Sequence, residues 1–322
     1  MTIDLPRFPL FDGPSPLHRV PRFAEALGGR VDIWMKREDL LPLAFGGNKL
    51  RNLEFLVGAA LAEGADTLVT SGRRWSNHCR LTAAAGARAG LDVHLVLSGP
   101  PVAPPGPGIR LAQAYGATIH QLATAERAER EARVSVLAAE LQAAGRRPYV
   151  IEVGGTGVVG ATGQLLAARE AFDQADRADV RFDAVVLPTA TGGSQAGLIV
   201  GAAERSPGTR ITGVVVARPA SELAPVVAGL VADLAARVGV AVPPGAIDLL
   251  ETQLGAGYGR PTPAATEATE LLARTEAILV DPIYTAKALA AVIAAVRSGA
   301  VDGQAILFWH AGGTLGLLEP LD

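Results

Sequence analysis

Ala44-Phe45-Gly46-Gly47-Asn48-Lys49-Leu50-Arg51, preceded by Met35-Lys36-Arg37-Glu38-Asp39-Leu40, is the stretch around which the chain is organised. Two glycines let the backbone approach a flat ring and its phosphate where any Cβ would collide. A lysine directly behind them can bond to an aldehyde and then carry a proton, provided its surroundings lower the amine pKa. Gly-Gly-Asn also makes a good turn with the lysine as its solvated corner, and the stretch alone leaves both readings open.

Working outward, a length of 322 residues exceeds the usual size of one domain, so two lobes are expected. The residues are 49% hydrophobic and only 5% aromatic, which suits closely packed helices on small-residue sheets rather than a β-sandwich. A formal net charge of -3, with no sustained Lys/Arg tract, argues against a nucleic-acid partner. Cys79 is the only cysteine, which rules out an intrachain disulfide and a cysteine metal cluster, and no metal is expected. Met1-Thr2-Ile3-Asp4-Leu5-Pro6 has neither the charged leader nor the apolar core of a signal peptide. The apolar runs further on are too short, or too interrupted by Arg, Asp and Pro, to span a bilayer. A cytoplasmic protein with no membrane partner is expected.

Pro9 to Leu17 reads as a proline-pinned arm rather than an element, Val20 to Leu27 as a short helix, and Val31 to Lys36 as the strand leading to the Lys49 loop. From Arg51 to Glu63 apolar residues recur at helical spacing, with Leu53, Leu56, Val57, Ala60 and Leu61 on one face. Strands over 67–70, 93–97 and 118–119 then alternate with helices over 77–90, 106–115 and 125–143, and a further strand covers 149–153. Gly154-Gly155-Thr156-Gly157 marks the crossing into a second lobe. There, strands over 184–188, 211–216 and 304–309 alternate with a helix opening at Gly193 and helices over 221–236, 264–277 and 286–298. Such alternation calls for an α/β fold of two doubly wound lobes with mostly parallel sheets and the active site between them. The expected division is a large domain of residues 1–50 and 155–322 and a small α/β domain of residues 51–154.

Three other stretches carry chemistry. Pro188-Thr189-Ala190-Thr191-Gly192-Gly193-Ser194-Gln195-Ala196-Gly197-Leu198 follows a strand and opens a helix, so its N–H groups converge as in a phosphate cup. An ordinary glycine-rich turn capped by Thr191 or Ser194 is the competing reading. Thr70-Ser71-Gly72-Arg73-Arg74-Trp75-Ser76-Asn77-His78-Cys79-Arg80 offers a hydroxyl and an amide at the mouth of a sheet beside unusual positive charge, although Ser76 or Asn77 also suits a helix N-cap. Asp281-Pro282-Ile283-Tyr284-Thr285-Ala286-Lys287 and Gly255-Ala256-Gly257-Tyr258-Gly259 each set a tyrosine in a turn before a helix, where it either packs or moves a proton.

Taken together, and with His310-Ala311-Gly312-Gly313, these motifs give the chain a resemblance to the D-cysteine desulfhydrase and 1-aminocyclopropane-1-carboxylate deaminase family, a tryptophan-synthase-β-like branch of the fold type II pyridoxal phosphate enzymes. The resemblance runs over nearly the whole chain. It implies pyridoxal 5'-phosphate in the cleft, held covalently by Lys49, with Asn77 on its 3'-oxygen. Its phosphate would be cupped by Thr191, Gly192, Gly193, Ser194, Gln195 and Ala196. Ser76, Asn77 and His78 would line the substrate, Ser76, Tyr284 and Tyr258 would act on it with Lys49 as catalytic groups, and the enzyme would be a homodimer.

The resemblance further implies a lyase that performs α,β-elimination on a small amino acid, giving pyruvate and ammonia. Ring-opening deamination and an inactive, ligand-binding homologue are the alternatives. This chain departs from the family pattern in several places. Asn52 stands where the family often has a lysine, Ala311 where desulfhydrases commonly have a threonine, and Thr285 where the deaminases place a glutamate. Thr285 is left as the partner of the cofactor's ring nitrogen, which disfavours the deaminase. Gly72-Arg73-Arg74-Trp75 replaces small and amide groups with two cations, and Arg73 and Arg74 are expected to bind a second anionic group on the substrate.

Overall fold

The computed structural model describes residues 3–321, so the reading of Met1 and Thr2 lies outside the described residues. Six strands form one sheet in the order β1 (Leu17–Arg19), β2 (Asp32–Arg37), β10 (Ala305–His310), β7 (Ala184–Thr189), β8 (Arg210–Val215), β9 (Asp248–Leu250). Only β1 is antiparallel to its neighbour, with His18 opposite Met35. The other sheet is fully parallel and runs β5 (Thr118–Leu122), β4 (Asp92–Ser98), β3 (Thr67–Arg73), β6 (Pro148–Val150).

Helices α1 (Pro21–Ala26), α6 (Val158–Arg177), α7 (Gly193–Arg205), α8 (Ala220–Val238), α9 (Pro263–Glu276) and α10 (Thr285–Arg297) cover the first sheet; α2 (Lys49–Ala62), α3 (Asn77–Ala89), α4 (Pro107–Ala114) and α5 (Arg127–Ala143) cover the second. The central strands are apolar on both faces because both are covered. On one side of the larger sheet Leu187, Ile199, Val215, Leu307 and Trp309 pack together, and on the other Ile33, Met35, Val186, Val214, Ile306 and Phe308 do so. The smaller sheet has its own core around Leu53, Leu68, Leu81 and Leu95.

Four elements differ from the sequence reading. The end of the proline-rich arm, Leu17, begins β1 rather than staying outside the sheet, because a strand as short as Leu17–Arg19 needs only the exposed edge of β2. Asp248–Leu250 adds β9 at the opposite edge. The long helix α6 has no counterpart in that reading. Its first half, Gly160 to Leu165, is buried all round the axis, and only in its second half do the less buried Arg169, Glu170, Asp173 and Gln174 form a polar face opposite Ala168, Ala171, Phe172 and Ala175. The strand expected over 149–153 ends at Val150, and Val153–Gly155 turns tightly into α6.

Behind the first turn of α2 lies a buried knot of charge. Arg51 donates to both oxygens of Glu38 at 3.0 and 2.9 Å and to both oxygens of Glu170 at 2.8 Å. Lys36, fully buried, donates to Glu170 at 2.5 Å, to Gln174 at 2.6 Å and to the Ser15 carbonyl at 2.8 Å. Two cations thus face two carboxylates, and the knot ties the N-terminal arm, β2, α2 and α6 together. Removing one partner of such a set leaves an uncompensated buried charge. Arg51→Met is expected to lose about 3–5 kcal/mol in urea unfolding. The Arg51→Met/Glu38→Met double variant, which leaves Lys36 and Glu170 balanced, should lose less than the single one.

Candidate active site

The carboxyl ends of β3, β7, β8 and β10 and the loop after β2 surround a cleft of about 750 Å³. A second cavity of about 820 Å³ lies at the amino-terminal ends of β7 and β8; its described lining is mostly alanine, valine, isoleucine and proline, without His, Lys, Cys or Tyr. The chemistry-bearing residues are therefore those of the first cleft.

Lys49 is the first residue of α2 and its side chain lines the cleft. The loop that delivers it passes through left-handed backbone at Ala44, Phe45 and Gly46, with φ of 49°, 64° and 63°. A Cβ on Gly46 would overlap the Asp39 carbonyl. The Arg80 guanidinium donates to the Ala44 carbonyl and holds the bend. Gly47 then meets the turn after β10: a Cβ on Gly312 would come within 2.5 Å of the Gly47 Cα, and Asn48 N–H donates to the Ala311 carbonyl at 2.9 Å. The Lys49 side chain is half-buried by surface because it lines a cavity, yet that cavity is deep enough to strip its amine of water. Burial lowers the amine pKa to about 8.

Ser76 is the N-cap of α3, its Oγ accepting from the Cys79 N–H at 3.2 Å, and Ser76, Asn77 and His78 all line the cleft. The Thr70 hydroxyl donates to the Ile151 carbonyl at 2.7 Å, so it accepts from His78 Nε2 at 3.0 Å. His78 Nδ1 is left buried and without a partner. Burial, and then the Lys49 charge, push the imidazole pKa down to about 3, so His78 is a neutral acceptor at the cleft rather than a proton donor.

Across the cleft the turn before α7 places Gly192 at φ +91°, in the left-handed region that favours glycine, with Thr191 and Ser194 on the wall. The first N–H groups of α7 point out of its N-terminus. Ser194 Oγ accepts from Asn48 Nδ2 at 3.0 Å, which links this turn to the Lys49 loop. The Gln195 side chain turns away and donates to the Asp248 carbonyl at 2.8 Å, so Gln195, like Ala196, offers only its backbone. Two hydroxyls that the sequence reading passed over, Thr156 and Thr189, line the same wall with their Oγ1 atoms buried and without partners.

Tyr258 and Tyr284 share a short hydroxyl-to-hydroxyl hydrogen bond at the cleft, their rings 5.8 Å apart. Burial raises both phenol pKa values, and each hydroxyl keeps its proton at neutral pH. Only one of the two protons fits between the oxygens, which leaves the other free for the cleft. The loop carrying Tyr258 hangs on Lys287, whose buried ammonium donates to the Leu254 and Gly257 carbonyls at 2.8 and 3.1 Å.

Two of the expected site residues lie away from the cleft wall. Thr285 is fully buried and does not line the cleft. Its hydroxyl donates to Asp281 Oδ1 at 2.5 Å while Asp281 also accepts from the N–H groups of Ile283, Tyr284 and Thr285, because the carboxylate is what caps α10. Arg74 also leaves the cleft. It lies over Trp75 at 4.8 Å and donates to the Pro320 carbonyl, which secures the C-terminal segment. Arg73 stays on the wall, where its guanidinium lies 4.8 Å from the same Trp75 ring and donates to the Ala125 carbonyl at 3.4 Å. The structure adds Arg130 of α5, a buried wall residue.

A model of the pyridoxal-phosphate dependent enzymes matches residues 9–312. The D-cysteine desulfhydrases of Salmonella typhi and of Salmonella newport strain SL254 are each 39% identical over 313 residues, which is 96% of this chain and 94% of theirs. A solved structure of an ACC deaminase homologue superposes with a TM-score of 0.91 at 32% identity, covering 98% of this chain and 94% of that one. The processed form of threonine deaminase isoform 2 from Solanum lycopersicum shares the fold, with a TM-score of 0.67 at 20% identity over 93% of this chain and 83% of its own.

The cleft fits pyridoxal phosphate. It has one desolvated lysine amine for the aldehyde, a helix N-terminus with Thr191, Gly192 and Ser194 for the phosphate, and two orphaned hydroxyls, Thr156 and Thr189, as further donors. Asn77 Oδ1 accepts from Arg80 at 3.3 Å, which leaves Nδ2 to donate to a ring oxygen. Because only the neutral amine attacks the aldehyde, capture of pyridoxal phosphate by cofactor-free protein should accelerate with pH and level off above the Lys49 value of about 8. A solvated lysine would keep accelerating to about pH 10. Stopped-flow absorbance after mixing, across a pH series, reads the difference.

Proposed function

The chain belongs to the family of pyridoxal-phosphate dependent enzymes, and on that footing we propose that it is a lyase that removes a group from the β-carbon of a small amino acid, releasing pyruvate and ammonia. The observation that carries this reading is one neutralisable amine, Lys49, in a single cleft with the protonated hydroxyl pair of Tyr258 and Tyr284. We further propose a cytoplasmic homodimer, for which the exposed Leu40 and Phe45 beside the Lys49 loop offer apolar surface.

When bound, pyridoxal phosphate supplies the electron sink for the substrate's α-carbon. The protein supplies the rest. The N–H groups at the start of α3 and the Ser76 hydroxyl orient the substrate carboxylate, with the positive end of the helix behind them. Lys49, once neutral, takes the α-proton. The bond from the β-carbon to the leaving group then breaks with its electron pair, and the tyrosine pair delivers a proton to that group. Water completes the release of ammonia and pyruvate.

Ring opening of 1-aminocyclopropane-1-carboxylate is the second reading, and it draws on the likeness to the ACC deaminase homologue. Tyr284 and Ser76 would then act at a ring carbon. Elimination is preferred because the D-cysteine desulfhydrases are 39% identical over 96% of this chain, against 32% for the ACC deaminase homologue. An inactive binder is disfavoured by the retention of Lys49, Ser76 and Tyr284 together.

Holoenzyme incubated with a panel of D- and L-amino acids should form pyruvate and ammonia in equal amounts, with sulfide from a thiol substrate. A four-carbon keto acid from the cyclopropane amino acid, with no pyruvate from the panel, would replace this reading with ring opening. Lys49→Ala should abolish turnover. Tyr284→Phe should keep the bound cofactor, seen in its visible absorbance, and lower kcat by about 10²–10⁴; a rate within about twofold of native would reduce Tyr284 to packing.

A further inference from the structure

Basic residues outnumber acidic ones on the wall of the cleft. Lys49, Arg73, Arg127, Arg130 and Arg218 line it, against Glu131, Glu152 and Glu222. Arg127 is neutralised by Glu131, 2.5 Å away on the next turn of α5. Arg130 is different. It sits on the apolar stripe of α5 with Val134 and Leu137 and is only 6% exposed. Its Nη1 donates to Ser98 Oγ at 2.8 Å, its Nε is buried without a partner, and among the described residues no carboxylate forms an ion pair with it. A buried guanidinium held by one neutral hydroxyl is costly unless something negative comes to it. Burial lowers its pKa, yet arginine remains charged at any physiological pH.

The position of Arg130 separates it from the other two anion sites. The cofactor phosphate belongs to the turn before α7, and the substrate carboxylate to the start of α3. Arg130 instead lies with Arg73, because its partner Ser98 stands opposite Arg73 in the sheet, and Arg73 stacks on Trp75, whose ring is 6.1 Å from that of Tyr258. That is where the side chain of a substrate would extend, beside the groups that protonate its leaving group.

Resting on the elimination reading above, we propose that Arg130, with Arg73, forms a subsite for a second anionic group on the substrate, so that the preferred substrates are small amino acids whose side chain ends in a sulfonate, phosphate or carboxylate. A guanidinium fork suits any of these oxyanions. Arg130 takes the place that the sequence reading gave to Arg74, and Arg218, half-buried at the rim with its Nε unpartnered, adds to the attracting field.

The test uses holoenzyme and two kinds of probe. Aspartate and alanine, both enantiomers of each, carry no good leaving group, and calorimetry reads their binding whether or not the enzyme eliminates. Cysteic acid and O-phosphoserine against cysteine and β-chloroalanine then give kcat/KM from pyruvate release. Native enzyme should bind aspartate more tightly than alanine, and Arg130→Gln should erase that preference. In turnover, Arg130→Gln should lose on the order of 10²-fold more on the anionic substrates than on the neutral ones. Arg73→Gln should shift the same ratio in the same direction by a smaller factor. Equal losses on both classes, or a native enzyme that binds alanine as well as aspartate, overturns the subsite. The native comparison decides the matter even if Arg130→Gln fails to fold. Aspartate preference without pyruvate from any substrate would uphold the subsite and defeat the elimination reading, whereas pyruvate from neutral substrates alone would do the reverse.

Discussion

The constraint on which the site depends is the contact between two glycines, Gly47 and Gly312. Gly47 ends the loop after β2, Gly312 lies in the turn after β10, and a Cβ on Gly312 would come within 2.5 Å of the Gly47 Cα, so the backbones meet where no side chain fits. That contact sets the start of α2 against the mouth of the larger sheet, and Lys49 follows directly. The same place receives the Asn48 hydrogen bond to Ala311 and the Asn48 bond to Ser194, so the lysine and the turn before α7 are fixed relative to one another. Precision of this kind is what a covalently held cofactor with a separately bound phosphate requires.

Around this fixed point the cleft divides its electrostatic tasks by burial. Lys49 is dry enough to lose its proton near neutrality, whereas the tyrosine pair is dry enough to keep both of its own. Water removal therefore makes a base and an acid in one cavity, through opposite effects on a cation and on phenols that would become anions. Two helix N-termini, of α3 and α7, supply positive potential without titrating at all.

The parallel sheets, and the placement of Lys49, Ser76, Thr191, Gly192 and Ser194 at the cleft, were legible because each rests on local chemistry: apolar runs between turns, and glycine or hydroxyl residues after a strand. Helix α6 was not: its first half is buried on all sides and offers no polar face to read, which leaves only the short period of Arg169, Glu170, Asp173 and Gln174 in its second half. Side-chain direction was also hidden. Arg73 and Arg74 are neighbours at a strand end, and successive side chains there point opposite ways, which sends one to the cleft and the other to Pro320. The bond of Thr285 to Asp281 was hidden because Asp281 looks in sequence like a turn residue only. Arg130 did leave a signal: it occupies an apolar position of the helical pattern with Val134 and Leu137, and a charge on such a stripe calls for an explanation.

The buried knot of Lys36, Glu38, Arg51 and Glu170 has a thermal consequence. Water solvates ions less favourably as temperature rises, so the penalty for keeping these four groups dry shrinks on heating. Apolar layers gain no comparable advantage. The anchor behind α2 therefore strengthens, relative to the cores beside it, as the protein warms, and the lysine loop should be among the last parts of the molecule to loosen before the whole chain melts.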